Sequence, residues 1–187
     1  VGIEAIQDLC DDFAQAMADA SGVDLAQFRR WYDQAGTPVI EVDDEYDAAA
    51  KRYTLRVSQS CPPTRDQAEK PPFHIPFAVG LIGADGEEMP LRLEGEPQAT
   101  NYERVLDVKE VSQQFVFEDV ASPPVPSLLR GFSAPVILMH DYDEAALAIL
   151  MMHDGDDFNR WEAGQRLAGE FILRHAQVIG SGSELAA

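Results

Sequence analysis

Ile3, Ile6, Leu9, Cys10, Phe13 and Met17 recur at three- and four-residue spacings with acids between them, which predicts an amphipathic helix over residues 3–20. Ser21-Gly22 breaks the pattern. Asp24 is placed to cap a second helix carrying Leu25, Phe28, Trp31 and Tyr32, and Gly36 followed by Pro38 ends it. From Thr37 the apolar period falls from 3.6 to 2. Val39–Val42 and Tyr53-Leu55-Val57 read as strands joined across the polar stretch Asp43–Lys51. Ser60–Pro72 reads as a Pro-rich loop. Phe73, Ile75, Phe77, Val79 and Leu81 then alternate without a break, so these five are expected to face one core. Pro76 within that run predicts an edge position or a bulge.

Asp85-Gly86 is a hairpin turn signal, with a return strand expected through Met89, Leu91 and Leu93. Val105–Val111 and Phe115–Val120 read as two further strands about a Ser112-Gln113 turn. Val136–Met139 reads as the last strand. After Tyr142 the period is helical again, over 144–153 and 156–172, with Phe158, Trp161, Ala168, Phe171 and Ile172 on one side of the second helix. The tail from Gly180 is small and polar, and fraying is expected there. Some seven short strands without intervening helices predict a mainly β chain: an immunoglobulin-like antiparallel β-sandwich flanked by short α-helical segments. The divisions fall at 1–36, 37–140 and 141–187. The apolar faces of both flanking segments are expected to lack partners within the chain.

Composition changes this picture mainly by exclusion. The 187 residues carry 33 acids against 14 bases, a net charge of −19, which disfavours phosphate backbones and anionic lipid; neither nucleic acid nor membrane is expected as a partner. The longest apolar run, Ala145–Met152, is far short of the roughly 20 residues of a membrane span. Two cysteines, Cys10 and Cys61, form no secreted-type framework, and a reduced cytoplasmic pair is expected. No signal peptide is read at the start, which lacks Met and opens inside a helical pattern, so a piece of a longer protein is expected.

Candidate chemistry is sparse. A zinc hydrolase helix needs two histidines four apart. The residues four after His74, His140, His153 and His175 are Ala78, Glu144, Asp157 and Ile179. His140 with Glu144 supplies only two ligands. Asp154-Gly155-Asp156-Asp157 and Asp141-Tyr142-Asp143-Glu144 lack the alternation of a calcium loop and are expected to cap helices. No Gly-x-Ser-x-Gly elbow occurs, Cys61 has no histidine near it in sequence, and Arg29-Arg30 beside Phe28 and Trp31 reads as an exposed helix face. Catalytic, cofactor and metal residues are therefore expected to be absent.

Several stretches resemble one family. They are Asp12–Met17 with Asp24-Leu25, Phe28-Arg29-Arg30-Trp31-Tyr32 with Gln34-Ala35-Gly36-Thr37-Pro38, and Asp66–Lys70 with His74-Ile75-Pro76-Phe77. Phe115–Phe117, Pro124–Leu129, Phe132–Val136 and Asp157–Ala163 continue the likeness in order. Together they resemble bacterial aminopeptidase N (alanyl aminopeptidase), a zinc gluzincin. The resemblance implies the β-sandwich domain of that hydrolase, with the last helices of the catalytic domain before it and the start of the C-terminal helical domain after it. The zinc ligands, catalytic tyrosine and Gly-x-Met-Glu-Asn amine loop of the family lie upstream of this region, and Glu88-Met89-Pro90 is not that loop. Zinc and peptide substrates are thus implied for the parent alone, with the neighbouring domains as partners. Two other readings stand beside this one: a free-standing binding module for a protein or small ligand, which exposed aromatics on one sheet face would favour, and an enzyme complete in itself.

Overall fold

The computed structural model describes the backbone of residues 3–99 and 101–180 and the side chains of residues 9–99 and 101–176. The expected contacts of Ile3 and Ile6, and the expected fraying beyond Gly180, lie outside these. Helix α1 (Ile3–Ser21) leads through Gly22, at φ +70°, to a single turn of helix, α2 (Arg30–Asp33). Asp24 Oδ1 accepts from Ala26 N at 2.8 Å as a cap should. The second helix is much shorter than its apolar spacing predicts, because residues 25–29 form turns rather than an α-helix.

Seven strands follow: β1 (Val39–Asp47), β2 (Arg52–Ser60), β3 (Ile75–Ile82), β4 (Glu103–Val108), β5 (Ser112–Phe117), β6 (Val125–Leu128) and β7 (Ile137–Met139). They form two sheets, ordered β5-β2-β1-β7 and β4-β3-β6. Tyr53, Leu55, Val57 and Phe117 of one sheet meet Ile75, Phe77, Val79, Leu81 and Leu106 of the other in the main core, every one of them at most 2% exposed. Helices α3 (Glu144–His153) and α4 (Asp157–Gly180) close the chain. Ile82, Leu147, Leu150 and Ala163 make a second, smaller core between β3 and these helices.

The structure corrects several expectations. The acidic stretch 43–47 is strand, not connection, because it pairs residue for residue with the basic stretch 52–56; Asp43 faces Arg56, Asp47 faces Arg52, and Glu45 bonds Arg56. The turn shrinks to residues 48–51, where Asp47 Oδ1 accepts from Ala49 N and Ala50 N. β3 is central in its sheet despite Pro76. Its pairing with β6 begins only at Val79, so the proline stands where β4 alone is bonded to the strand. Both faces of β3 are buried, with His74 and Ala78 at 8% and 4% alongside the expected five. Met89–Leu93 forms no strand beyond isolated bridges, since Pro90 interrupts it. Ser112 and Gln113 lie inside β5; the turn is at 109–111, where Gln113 Oε1 accepts from the amides of Lys109 and Glu110. That turn also carries the chain from one sheet to the other. One pair, β1 with β7, is parallel rather than antiparallel.

Two buried polar side chains matter to the packing. Gln59 on β2 reaches across to the other sheet, accepting from Phe73 N at 2.7 Å and donating to Phe73 O at 2.9 Å and Glu110 O at 3.2 Å. Tyr53 is fully buried, and its hydroxyl finds no hydrogen-bond partner among the described residues. Burial, with the Asp44 carboxylate adding to it, pushes that phenol far above its ordinary value. Tyr53→Phe removes a desolvated hydroxyl and almost no volume, so it should stabilise the chain by about 1 kcal/mol. The urea midpoint should rise with the slope unchanged. A lower midpoint would mean that the hydroxyl has a partner.

Candidate functional site

Apart from a surface network of Arg52, Arg92, Glu94, Glu118 and Asp119, two seams join the helices to the sandwich through polar side chains. At the first, α2 and the segment before it lie against the 60–74 loop. Gln27 Nε2 donates to Lys109 O at 2.7 Å. The Trp31 ring stacks on Phe73 at 4.5 Å while its Nε1 donates to His74 O at 2.8 Å. Gln67 accepts from Ala35 N and donates to Asp33 O, and Lys70 bonds Ala35 O beside Gly36, whose φ is +101°. The stretches 28–38 and 66–77, which carry much of the family resemblance, are thus bonded to one another.

At the second seam the 3-10 turn Arg130–Phe132 meets the link between α3 and α4. Arg130 donates from Nε to Ser127 Oγ at 2.8 Å, and from Nη2 to Glu88 Oε1 at 2.6 Å and Asp154 Oδ1 at 3.0 Å. Burial works against the guanidinium's charge, but Glu88 and Asp154 outweigh it and raise its pKa. Asn159 Nδ2 donates to Ser127 Oγ and Leu128 O, both at 3.0 Å. A cavity of about 280 Å³ remains beside this network, walled by Leu129, Phe132, Val136, Leu150, Phe158 and Ala163 among others. Here too the stretches 124–136 and 157–163 come together.

The individual candidates are structural members of these surroundings. His140 donates from Nδ1 to Val42 O at 2.9 Å, while Glu144 bonds Arg174 instead of joining it. His74 Nε2 lies 2.6 Å from Asp107 Oδ1, and His175 Nδ1 lies 2.8 Å from Phe171 O. His153 ends α3 with its ring over Gly86. Asp143 caps α3 by accepting from Ala146 N, and Asp156 caps α4 by accepting from Asn159 N. Asp154 departs from the capping expectation: at 2% exposure it is a buried partner of Arg130. Cys61 Sγ lies 3.8 Å from both Ala35 O and Lys70 Nζ. Arg29 and Arg30 are not a free face either; Arg29 donates to Gln15 Oε1 and Arg30 bonds Pro72 O.

A family model described as a domain of unknown function with an Ig-like fold (DUF3458) matches residues 36–141. The chain belongs to this family. A second model, described as ARM repeats (DUF3458_C), matches residues 144–187. Aminopeptidase N of Escherichia coli (strain K12) is 48% identical over 172 residues, covering 90% of this chain and 19% of the relative. Its Haemophilus influenzae counterpart is 42% identical over 176 residues, covering 94% and 20%. A crystal structure of Legionella pneumophila aminopeptidase A in complex with aspartic acid superposes with a TM-score of 0.73 at 30% identity, over 94% of this chain and 18% of that one. This DUF3458 chain therefore spans about a fifth of the length of the curated relatives it matches. It corresponds to the aminopeptidase N segment that carries the Ig-like domain.

Among the described residues of the DUF3458 chain, no three His, Cys, Asp or Glu side chains converge to hold a metal ion. No described helix is long and apolar enough to cross a membrane. Sequence reasoning missed Arg130 and Gln59. The signal available for Arg130 was Gly80, which marks a close approach in an otherwise bulky strand; no local signal marks Gln59.

Proposed function

We propose that this chain is the non-catalytic β-sandwich module of a zinc-dependent aminopeptidase N, and that it positions the C-terminal helical domain against the catalytic domain. The parent removes N-terminal amino acids from peptides. Residues 1–36 end the catalytic domain, 37–140 form the sandwich, and 141–187 begin the helical domain. The observation that carries this reading is the pair of seams, in which Trp31 and Arg130, with the groups they bond, join helices to the sandwich. The setting proposed for the chain is cytoplasmic, where the two cysteines, Cys10 and Cys61, would stay reduced.

The apolar faces of the flanking helices support the same reading. Leu9 and Phe13 on α1 are 69% and 62% exposed, and Trp161, Phe171 and Ile172 on α4 are exposed to a similar degree. Neighbouring domains of the parent would cover them. The aromatic contacts among Phe132, Phe158 and Trp161 lie on the 3-10 turn and α4 rather than on a sheet face, which speaks against a free-standing binding module.

The isolated chain should bind no stoichiometric zinc and should not release the chromophore of an alanyl anilide. In the full-length parent, Trp31→Ala should leave zinc content intact and change the ratio of kcat/KM for a long peptide to that for the anilide by threefold or more. Chelator-sensitive hydrolysis by the isolated chain would overturn the module reading. An unchanged ratio in a folded, zinc-loaded parent would overturn the positioning role.

A further inference from the structure

Arg130 is only 5% exposed, and a guanidinium that deep is held by what it binds. The groups around it come from every part of the second seam. Ser127 is on β6, Glu103 on β4, Glu88 on the stretch after β3, and Asp154 between α3 and α4; Glu103 lies 3.6 Å from Nη1. The guanidinium packs over Gly80 of β3 at a distance that leaves no room for a side chain. Asp154 has only one other partner, Asp156 N at 2.9 Å on the same oxygen, because its second oxygen is buried without a partner among the described residues. The backbone is turned to suit: Leu129, Gly131 and Phe132 have φ of +58°, +60° and +51°, a left-handed conformation that bulky residues seldom adopt. Gly131 N in turn donates to Asp156 Oδ2 at 2.8 Å, tying the turn to the cap of α4.

We propose that Arg130 is a clasp that locks α3–α4 onto the β4-β3-β6 sheet, so that helices and sheet open to solvent as one unit. This rests on the positioning role above and specifies how one of its two seams is held. Arginine suits the task because its planar fork serves Ser127, Glu88 and Asp154 at once, which a lysine ammonium cannot do from one place.

Hydrogen exchange read by mass spectrometry on the full 187-residue chain tests this. In the unaltered chain, amides of α3 and the first turns of α4 should share the denaturant dependence of those in β3 and β6. In Arg130→Met, α3 and the start of α4 should exchange at least a hundredfold faster, with β1, β2 and β5 within threefold of their former rates. Unchanged protection of α3–α4, or equal acceleration in every strand, would overturn the clasp. Should that variant fail to fold, Glu88→Gln keeps the guanidinium while removing one charge, and should give roughly tenfold acceleration confined to the same segments; no acceleration, or acceleration spread evenly, would overturn it too. The peptide-to-anilide ratio in the parent is a separate measurement. A shifted ratio with no clasp would leave positioning to the seam at Trp31.

Discussion

Gly80→Ala is expected to destabilise the chain by about 3–5 kcal/mol, the range for breaking a buried ion pair on one side. An alanine methyl at this position would lie 2.5 Å from Arg130 Cζ, 2.7 Å from Nε and 2.8 Å from Nη1. The guanidinium is the far end of a flexible side chain, but it is not free to swing, since Ser127, Glu88 and Asp154 all hold it. Moving it away leaves the Asp154 carboxylate, at 2% exposure, without a countercharge and with Asp156 N as its one donor among the described residues. Urea unfolding of Gly80→Ala against the parent sequence measures the loss. A cost below 1 kcal/mol would show that Arg130 can shift without leaving its partners.

The second large effect is expected at Gln59→Leu, at about 2–4 kcal/mol. Leucine is similar in size and matches the apolar surroundings, so a pure packing argument would call the change mild. The cost comes from the other sheet. Phe73 N loses its acceptor at 2.7 Å, and Phe73 is 1% exposed, so no water replaces the bond. Phe73 O keeps only the longer contact from Gln27 Nε2 at 3.3 Å. Thermal unfolding with a two-state fit would read the loss, and Gln59→Glu at low pH should recover part of it, because a protonated carboxyl again offers an acceptor to Phe73 N. A Gln59→Leu variant as stable as its parent would mean that the two sheets are held by apolar packing alone.

These two residues also show where the sequence is legible and where it is not. Alternation announced Phe73, Ile75, Phe77, Val79 and Leu81, and the helix starts at Asp143 and Asp156 could be read from acids ahead of apolar runs. Both signals are local. Arg130 could not be read this way: its carboxylates stand 42 and 24 residues away, and a lone arginine in a string looks like any surface cation. Gln59 is hidden for the same reason, as its partners Phe73 and Glu110 stand 14 and 51 residues away. Turn positions elude the sequence where side chains, rather than turn residues, set the geometry; Gln113 fixes the turn at 109–111 that precedes it, so Ser112-Gln113 reads as the turn two to three residues late. The acidic end of β1 was legible only with its complement, because Asp43–Asp47 is strand by virtue of Arg52–Arg56 across from it.

The parallel pair of β1 and β7 has a mechanical consequence. The chain enters the sandwich at Pro38 and leaves it at His140, and the two strands that carry these ends run side by side in the same direction. Ile137 N donates to Pro38 O at one end of the ladder, and the His140 ring meets Val42 O at the other. In the proposed parent, a pull exerted between domains on either side would be directed along both strands, in opposite senses. It would load this ladder in shear, so its bonds would have to yield together rather than peel apart singly, and the module would carry tension as a tie instead of unzipping under it.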